Sequence, residues 1–152
     1  SDYESLGELL AMLLQEGTQH LLKRGLARDY VARQDTIPGI RGRVDIGRSF
    51  RTLAWQNARA VCVYDEFDTD IVINQVIKAT IYRMLRAREP ELKKDTKNGL
   101  KKVFQRLGRV SLKDYDTRRD LDAIRLQRHQ SHYRLILAIC KFILDNTVFN
   151  EN

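Results

Sequence analysis

Residues 37–50, IPGIRGRVDIGRSF, contain the residue types that bind phosphate groups in many proteins. Four of them follow the nucleotide-binding pattern G-x-x-x-x-G-K-[ST] except for arginine in place of lysine; they are Gly42, Gly47, Arg48 and Ser49. A true site also needs a hydrophobic strand before the first glycine and a lysine that reaches the phosphates. Both are missing, and bulky or acidic residues fill the positions where backbone amides should surround the anion. The stretch therefore predicts neither a nucleotide site nor a cofactor.

Two tripeptides resemble half of a metal-dependent nuclease site. Residues 91–93 have the E-x-K form, and residues 95–97 have the related D-x-K form. A nuclease presents such residues from neighbouring strands around Mg²⁺, together with a further carboxylate. Here they open a basic amphipathic segment, where charged side chains are ordinary surface residues of a first helical turn. No catalytic residue is predicted.

Candidate metal ligands are incomplete. His129 and His132 have the i, i+3 spacing of ligands on a helix, but His20 is remote in sequence. Neither Cys62 nor Cys140 belongs to a C-x-x-C pair, so no third ligand is evident. The sequence predicts surface or capping histidines, two buried free thiols and no metal site.

A carboxylate group follows a predicted strand and precedes a predicted helix. Asp65, Glu66 and Asp68 could be read as metal ligands, but negative charge is also favoured at a helix N-terminus. We therefore expect these residues and Asp70 to cap the helix that follows. Asn74 is expected to tie the turn before this helix to the rest of the fold.

Composition indicates a globular chain with a positive charge. Of 152 residues, 43% are hydrophobic and 31% charged, and 27 basic against 20 acidic residues give a net charge of +7. This excess favours an acidic partner such as nucleic acid, or else a solvated helix surface. The longest apolar run is half the length needed to cross a bilayer, and the first residues lack the features of a secretory signal. A cytoplasmic protein with no membrane contact is expected.

Four segments have apolar residues at three- and four-residue spacings, which predicts amphipathic helices. They are residues 6–22, 71–88, 91–107 and 132–146. Gly25 should close the first helix, and Pro90 should separate the second from the third. Residues 109–130 are expected to cross irregularly, with one short helical turn at 118–124.

Residues 29–67 lack helical periodicity and are rich in glycine and β-branched residues. Strands are predicted near Tyr30–Arg33 and Ala60–Tyr64, with the glycine-rich stretch and a short helical piece between them. Two short strands joined by a long excursion do not form an independent domain. The predicted fold is mainly α, a single domain over residues 1–152, in which a helical bundle (1–28 and 68–152) bears a projecting β-rich finger (29–67).

Four segments then follow one another in an informative order: LLKRGLARDYV, IPGIRGRVDIGRSFR, CVYDEFDTDIVINQVIKATI and YRLILAICKFIL. The most specific motifs are RGL-x-x-DY at 24–30, IPGIRGR at 37–43 and DEF-x-x-D-x-x-x-N at 65–74. In order and spacing the chain resembles, over almost its whole length, McrC, the accessory subunit of the McrBC modification-dependent restriction systems.

The resemblance implies a division of labour within that family. An amino-terminal part docks into the pore of the hexameric GTPase McrB, and a carboxy-terminal PD-(D/E)xK domain is the nuclease. The chain resembles only the first part, which is expected to be non-catalytic and to stimulate GTP hydrolysis. It would reach DNA indirectly through the complex and would act on no small-molecule substrate.

The finger is the predicted contact with the GTPase. Its predicted partner-binding residues are Arg41, Arg43, Asp45, Arg48 and Arg51, since arginine forms strong charge-assisted hydrogen bonds. Pro38, Gly39 and Gly42 are predicted to shape its turn, because proline fixes φ and glycine tolerates positive φ. Internal ion pairs of Arg41 and Arg43 with Asp45 or Asp65 are the alternative.

Two functions stay open from sequence. The chain is either a module that docks on a protein partner or a basic module that binds nucleic acid. Phosphate binding weakens steeply as salt rises, whereas shaped protein docking depends less on salt. Aromatic residues are few, with a lone Trp55, and give no ladder for stacking on single strands. The protein partner is therefore favoured.

Overall fold

A computed structural model describes residues 2–89 and 91–146. The chain divides into two compact units. The helical unit comprises the residues up to Ala27 and those from Thr69 onward, and the sheet unit comprises Arg28–Asp68. Helices joined to a small antiparallel sheet agree with the predicted mainly α class.

The elements run in the following order: α1 (Asp2–Arg24), β1 (Asp29–Pro38), β2 (Arg43–Val44), α2 (Ile46–Arg51), β3 (Arg59–Asp68), α3 (Val72–Arg86), α4 (Lys94–Arg106) and α5 (Arg134–Asp145). Short 3-10 segments occupy Ala54–Asn57 and Arg128–Tyr133, and one π-helical turn occupies Thr117–Leu121. The predicted helices are confirmed, and Gly25 follows α1 with a φ of +99°. Pro90 lies outside the described residues.

The core of the helical unit is formed by one face each of α1, α4 and α5 and by α3, which is buried on all sides from Ile73 to Ile81. Its most deeply buried side chains include Leu14, Leu21, Val76, Ile77, Ile81, Leu100, Val103 and Ile143. Two glycines let helices approach closely. A Cβ on Gly17 would lie 3.1 Å from Ile136, and one on Gly99 would overlap Gln15. The periodicity seen in the sequence therefore marks the faces that pack together.

The start of α4 is held by a residue of α1. α4 begins three residues later than predicted, after Lys93. The Glu8 carboxylate accepts hydrogen bonds from the Lys93 backbone N–H and from the Thr96 hydroxyl, the latter at 2.7 Å. This acceptor satisfies a donor that a helix N-terminus leaves free. Glu91 and Asp95 are exposed around this helix start, as ordinary surface side chains.

The other end of α4 is held by a buried lysine. Lys78 of α3 is only 8% exposed, and its Nζ donates to the carbonyl oxygens of Leu107 at 2.8 Å and Val110 at 2.7 Å. A cation at a helix C-terminus satisfies its free carbonyls and opposes its dipole. Lys78 thus fixes α4 from the neighbouring helix.

Asn74 joins the two places where the chain leaves and re-enters the helical unit. Its Nδ2 donates to the carbonyl oxygens of Ala27 at 3.0 Å and Thr69 at 2.8 Å. The Tyr133 hydroxyl donates to Asn74 Oδ1 at 2.7 Å and accepts from the Ala27 N–H at 2.8 Å. The prediction that Asn74 anchors this turn is confirmed, and Ala27 and Thr69 lie side by side.

The predicted capping of α3 by carboxylates is wrong. The N-cap residue is Ile71, which has no side-chain cap, because β3 continues through Asp68. Asp70 instead accepts from the Ser111 backbone N–H at 2.7 Å, its hydroxyl at 2.5 Å and Gln75 Nε2 at 2.8 Å. Burial is the largest single influence and raises the pKa of Asp70, but the hydrogen bonds together lower that pKa below its ordinary value.

The sheet unit is built on one long ladder. β1 and β3 pair antiparallel in ten uninterrupted pairs, from Asp29 opposite Asp68 to Pro38 opposite Arg59. β2 pairs with the other edge of β3, so the strand order is β1-β3-β2. The predicted strands exist but are longer. The glycine-rich stretch is not itself a hairpin, since β3 lies between β1 and β2.

Both cysteines are buried free thiols, as predicted. Burial raises the pKa of the Cys140 thiol to about 12, so this thiol stays protonated and unreactive at neutral pH. Within the described residues, no helix has the length and apolar character needed to cross a membrane.

Candidate partner-binding site on the sheet unit

The turn after β1 depends on two glycines. Gly39 and Gly42 have φ values of +89° and +62°, a region that other residues rarely adopt. A Cβ on Gly42 would also lie 2.5 Å from the Val63 carbonyl oxygen. Pro38 is the last residue of β1 and lies opposite Arg59. Gly39 and Gly42 are thus placed where their conformational freedom is used, and Pro38 ends the strand before this turn.

Asp45 and Ser49 hold α2 against the sheet. The Asp45 side chain caps the helix by accepting from the Arg48 N–H at 3.0 Å. The buried Ser49 hydroxyl donates to the Asp45 carbonyl at 2.7 Å and accepts from the Val61 N–H at 2.8 Å. The residues that looked like part of a phosphate loop therefore form a structural corner. A carboxylate occupies the helix end that a phosphate would approach.

Arg41 is held by an aromatic ring. Its guanidinium carbon lies 4.2 Å from the centroid of Tyr64, and its backbone N–H donates to Cys62 Sγ at 3.4 Å. Among the described residues, neither Arg41 nor Arg43 forms an ion pair with Asp45 or Asp65. The alternative of such internal ion pairs is therefore wrong for these two arginines.

The acidic end of the sheet has its own basic partner. Arg33 of β1 contacts Glu66 at 3.2 Å and Asp68 at 2.6 Å across the ladder. Arg48 lies 3.7 Å from Asp45, a loose pair within the same helix corner. Arg43 and Arg51 are exposed and have no ion pair within the part of the chain that the structure describes. These two side chains are free to meet an acidic partner.

Sequence reasoning missed an exposed apolar surface on the same unit. We call it the apolar cap; it consists of Ile46, Phe50, Leu53 and Trp55, which are 66%, 61%, 51% and 51% exposed. Ile46 and Phe50 are one turn apart on α2, and the rings of Phe50 and Trp55 are 6.0 Å apart. The sequence does contain a signal for this surface. A short helix flanked by turns can bury few side chains, and this segment has more large apolar residues than so short a helix can bury.

The backbone around the cap is strained. Leu53 and Ala58, which flank the 3-10 segment Ala54–Asn57, both have a φ of +55°. A left-handed conformation at a non-glycine residue costs about 1 kcal/mol or more and is enriched at functional sites. The left-handed conformations on either side of this segment place Trp55 beside Phe50.

The histidines do not form a metal site. Burial, followed by the nearby charges of Arg24, His20 and His129, lowers the pKa of His132. Across residues 2–89 and 91–146, no group of three or more histidine, cysteine, aspartate or glutamate side chains is arranged to hold a metal ion.

Comparison with known proteins places these features in a family. The chain matches over residues 1–152 the family described as McrBC 5-methylcytosine restriction system component. The type IV methyl-directed restriction enzyme EcoKMcrBC of Escherichia coli strain K12 is 24% identical over 148 residues, which are 97% of this chain and 42% of the relative.

Two solved structures share the fold. They are the cryo-EM structure of the Thermococcus gammatolerans McrBC complex and a refined half-complex from the tetradecameric assembly of T. gammatolerans McrB AAA+ hexamers with bound McrC. Each has a TM-score of 0.69 at 18% identity and covers 90% of this chain, and 40% or 32% of its own chain. The chain thus spans less than half the length of these relatives. It belongs to the McrBC 5-methylcytosine restriction system component family.

Proposed function

We propose that this chain is a non-catalytic accessory module that docks on an McrB-like hexameric AAA+ GTPase through its sheet unit. Docking stimulates GTP hydrolysis and couples it to DNA cleavage by a nuclease domain that lies outside these 152 residues. Support comes from family membership and from a fold shared with complexes in which McrC is bound to McrB AAA+ hexamers.

The apolar cap is the observation that carries this proposal. Burying apolar surface against a partner contributes about 25 cal/mol of favourable free energy for each Å² removed from water. All four residues of the apolar cap are at least half exposed, and Phe50 and Trp55 are a contacting aromatic pair. Clustered Trp and Phe side chains are typical anchors at the centre of protein interfaces. The cap is therefore the proposed centre of the contact.

The arginines are the proposed rim of this contact. Arg43 and Arg51 are exposed and unpaired within the described residues, so their charged hydrogen bonds are available to a partner. Arg41 is pre-positioned by Tyr64, which lowers the entropy lost on binding. Asp45 and Arg48 act through α2, since their mutual contacts fix this helix and with it Ile46 and Phe50.

The test is GTPase stimulation of the cognate hexamer by a double variant of the cap. Phe50→Ser with Trp55→Ser should fold normally and reduce stimulation at least tenfold, because both anchors lose their apolar area. The matched control is Tyr30→Thr with Phe67→Thr, an exposed aromatic pair of the same unit, 5.1 Å apart on the β1–β3 ladder. Threonine retains strand propensity. Equal loss in both variants, or in neither, contradicts a contact centred on the cap.

A second variant tests the arginine rim. Arg41→Ala with Arg43→Ala should leave the melting temperature nearly unchanged and lower stimulation tenfold or more, since each charged hydrogen bond contributes about 1.5–3 kcal/mol. Full stimulation by a normally folded double variant would remove these arginines from the contact. Stimulation should persist at moderate salt, unlike binding dominated by phosphate groups.

A further inference from the structure

The positive charge of the chain is concentrated at α4. Residues 93–109 contain seven basic residues and one acidic residue, a net charge of +6 within a chain of +7. The sheet unit, residues 28–68, contains seven basic and six acidic residues, so its net charge is only +1. The rest of the chain is neutral in sum. The charge excess is therefore a local property of one helix and its flanks.

The basic side chains of α4 share one exposed face. At 100° per residue they cover about half of the helix circumference. We call this the basic face; it consists of Lys94, Lys97, Lys101, Lys102 and Arg106, all of which are exposed. The opposite side packs into the core through Leu100 and Val103, which are 0% and 1% exposed. The same exposed side carries Asp95, Asn98 and Gln105, so five basic residues and one acidic residue give it a net charge of +4.

Helix stability does not explain this face. No residue of the basic face forms an ion pair within the described part of the chain. Lys97 with Lys101, and Lys102 with Arg106, are like-charge i, i+4 pairs, which destabilise a helix. Lys94 in the first turn also opposes the helix dipole, whereas only Arg106, in the last turn, favours it. Charges that weaken their own helix indicate a role outside it.

We propose that the basic face of α4 binds the phosphate backbone of double-stranded DNA without reading its sequence. This goes beyond docking, in which the chain reaches DNA only through the complex. The face from Lys94 to Arg106 is about 18 Å long at a rise of 1.5 Å per residue. Duplex DNA carries one charge for about every 1.7 Å of its axis, so five basic side chains can meet phosphates along that length.

Two other polyanionic surfaces fit this face less well. A basic amphipathic helix binds a membrane by inserting its apolar side, and that side of α4 is buried in the core. Single strands are gripped by exposed aromatic rings that stack on bases. The aromatic residue of α4, Phe104, is partly buried and lies 6.0 Å from the ring of Tyr82. The phosphate backbone of duplex DNA is the remaining partner, because binding it requires only positive charge on the protein.

The test is fluorescence polarisation with a labelled 20-base-pair duplex of arbitrary unmethylated sequence, between about 50 and 200 mM salt. The chain should bind with a Kd in the range of about 1–100 µM near physiological salt, and more tightly at the low-salt end. The plot of log K against log salt should have a slope of about −4.5, as expected for five phosphate contacts. Lys97→Gln, Lys101→Gln and Lys102→Gln together should weaken binding at least tenfold and flatten the slope by about 3.

A control of equal charge change separates the face from the net charge. Arg118, Arg128 and Arg134 are exposed residues of the helical unit, and their combined replacement by Gln should change the Kd less than threefold. The lysine variant should also unfold at the same or a higher temperature, since like charges have been removed, and should still stimulate the GTPase.

Several results would overturn the proposal. Equal weakening by the two triple variants would show that net charge acts alone. A lower melting temperature of the lysine variant would give the face a structural role. Loss of GTPase stimulation with unchanged DNA binding would assign the face to the protein partner. Tighter binding to phosphatidylserine vesicles than to the duplex at the same salt would assign it to a membrane.

Discussion

At the scale of single residues, the Tyr133 hydroxyl joins segments that are far apart in sequence. It donates to Asn74 and accepts from the Ala27 N–H in a fully buried position. Tyr133→Phe leaves both partners without their hydrogen bond, so the free energy of unfolding should fall by about 1–3 kcal/mol. Urea unfolding followed by circular dichroism measures this difference. Tyr82→Phe, at a half-buried ring on α3, is the control and should change stability by less than about 0.5 kcal/mol.

Asp70 makes the stability of the helical unit depend on pH in the acid range. Because its folded-state pKa is lowered, its contribution is fully present above the unfolded-state pKa of about 4 and is lost as the pH falls toward the folded value. Asp70→Asn should therefore reduce stability by about 1–2 kcal/mol at pH 7, and the difference from the unchanged protein should shrink below pH 4. Unfolding curves from pH 7 to pH 3 check this. A difference that grows in acid would contradict the sign.

Residues that act through their own backbone were predictable, and residues that act through distant partners were not. Gly25, Gly39 and Gly42 have positive φ, as their positions in the sequence indicated. The roles of Asp68 and Asp70 were missed, because their partners Arg33 and Ser111 lie 35 and 41 residues away. Only the strand register and the path of the irregular crossing bring these pairs together.

At the scale of elements, α4 depends on a cap supplied by another helix. Glu8→Ala removes the acceptor for Lys93 and Thr96, so the first turn of α4 should fray and stability should fall by about 0.5–2 kcal/mol, as for other lost caps. Hydrogen exchange should show reduced protection at residues 97 and 98, with little change at the end of the helix. Glu16→Ala, an exposed change on the same α1, is the control. Equal exchange in both variants would contradict this capping role.

The helices could be predicted because each carries its own periodicity. The limits of α4 and of the strands could not, since they are set by partners. Glu8 of α1 and Lys78 of α3 fix the two ends of α4. β1 and β3 extend beyond their apolar cores because each supplies hydrogen bonds to the other. The two-residue β2 has too few residues for any alternation to show.

The apolar cap was missed for a different reason. Ile46, Phe50, Leu53 and Trp55 look in the sequence like ordinary core residues, since apolar residues are usually assigned to the interior. The structure shows that they are exposed, because other side chains, such as Val61 and Cys62, occupy the interior of the sheet unit. The prediction for this stretch emphasised its arginines as partner contacts, whereas the structure also shows exposed apolar side chains there.

At the scale of the whole molecule, the hydrophobic core of the helical unit is complete without the residues of the sheet unit. Asn74 holds Ala27 and Thr69 side by side, so a short linker can replace residues 28–68. A variant with three glycines in their place should remain helical and unfold cooperatively, because the core of the helical unit is untouched. Its far-ultraviolet circular dichroism and urea unfolding curve test this. The variant should lose GTPase stimulation and still bind duplex DNA.

The same variant distinguishes the two proposals from each other. A folded deletion variant that still stimulates the GTPase contradicts docking through the sheet unit. One that no longer binds DNA contradicts the assignment of DNA to α4. A variant that aggregates would contradict the independence of the helical core, and the matched point variants would then decide the two functions separately.

The uninterrupted ladder between β1 and β3 has a consequence for how this family can vary. Each further residue pair would lengthen the ladder by about 3.4 Å, and adding one pair would reverse the faces of all residues beyond it. Adding or removing two pairs keeps every side chain on its face and changes the length by about 7 Å. A change in the length of this ladder therefore preserves the face of every side chain only when two residues are added to or removed from both strands at once.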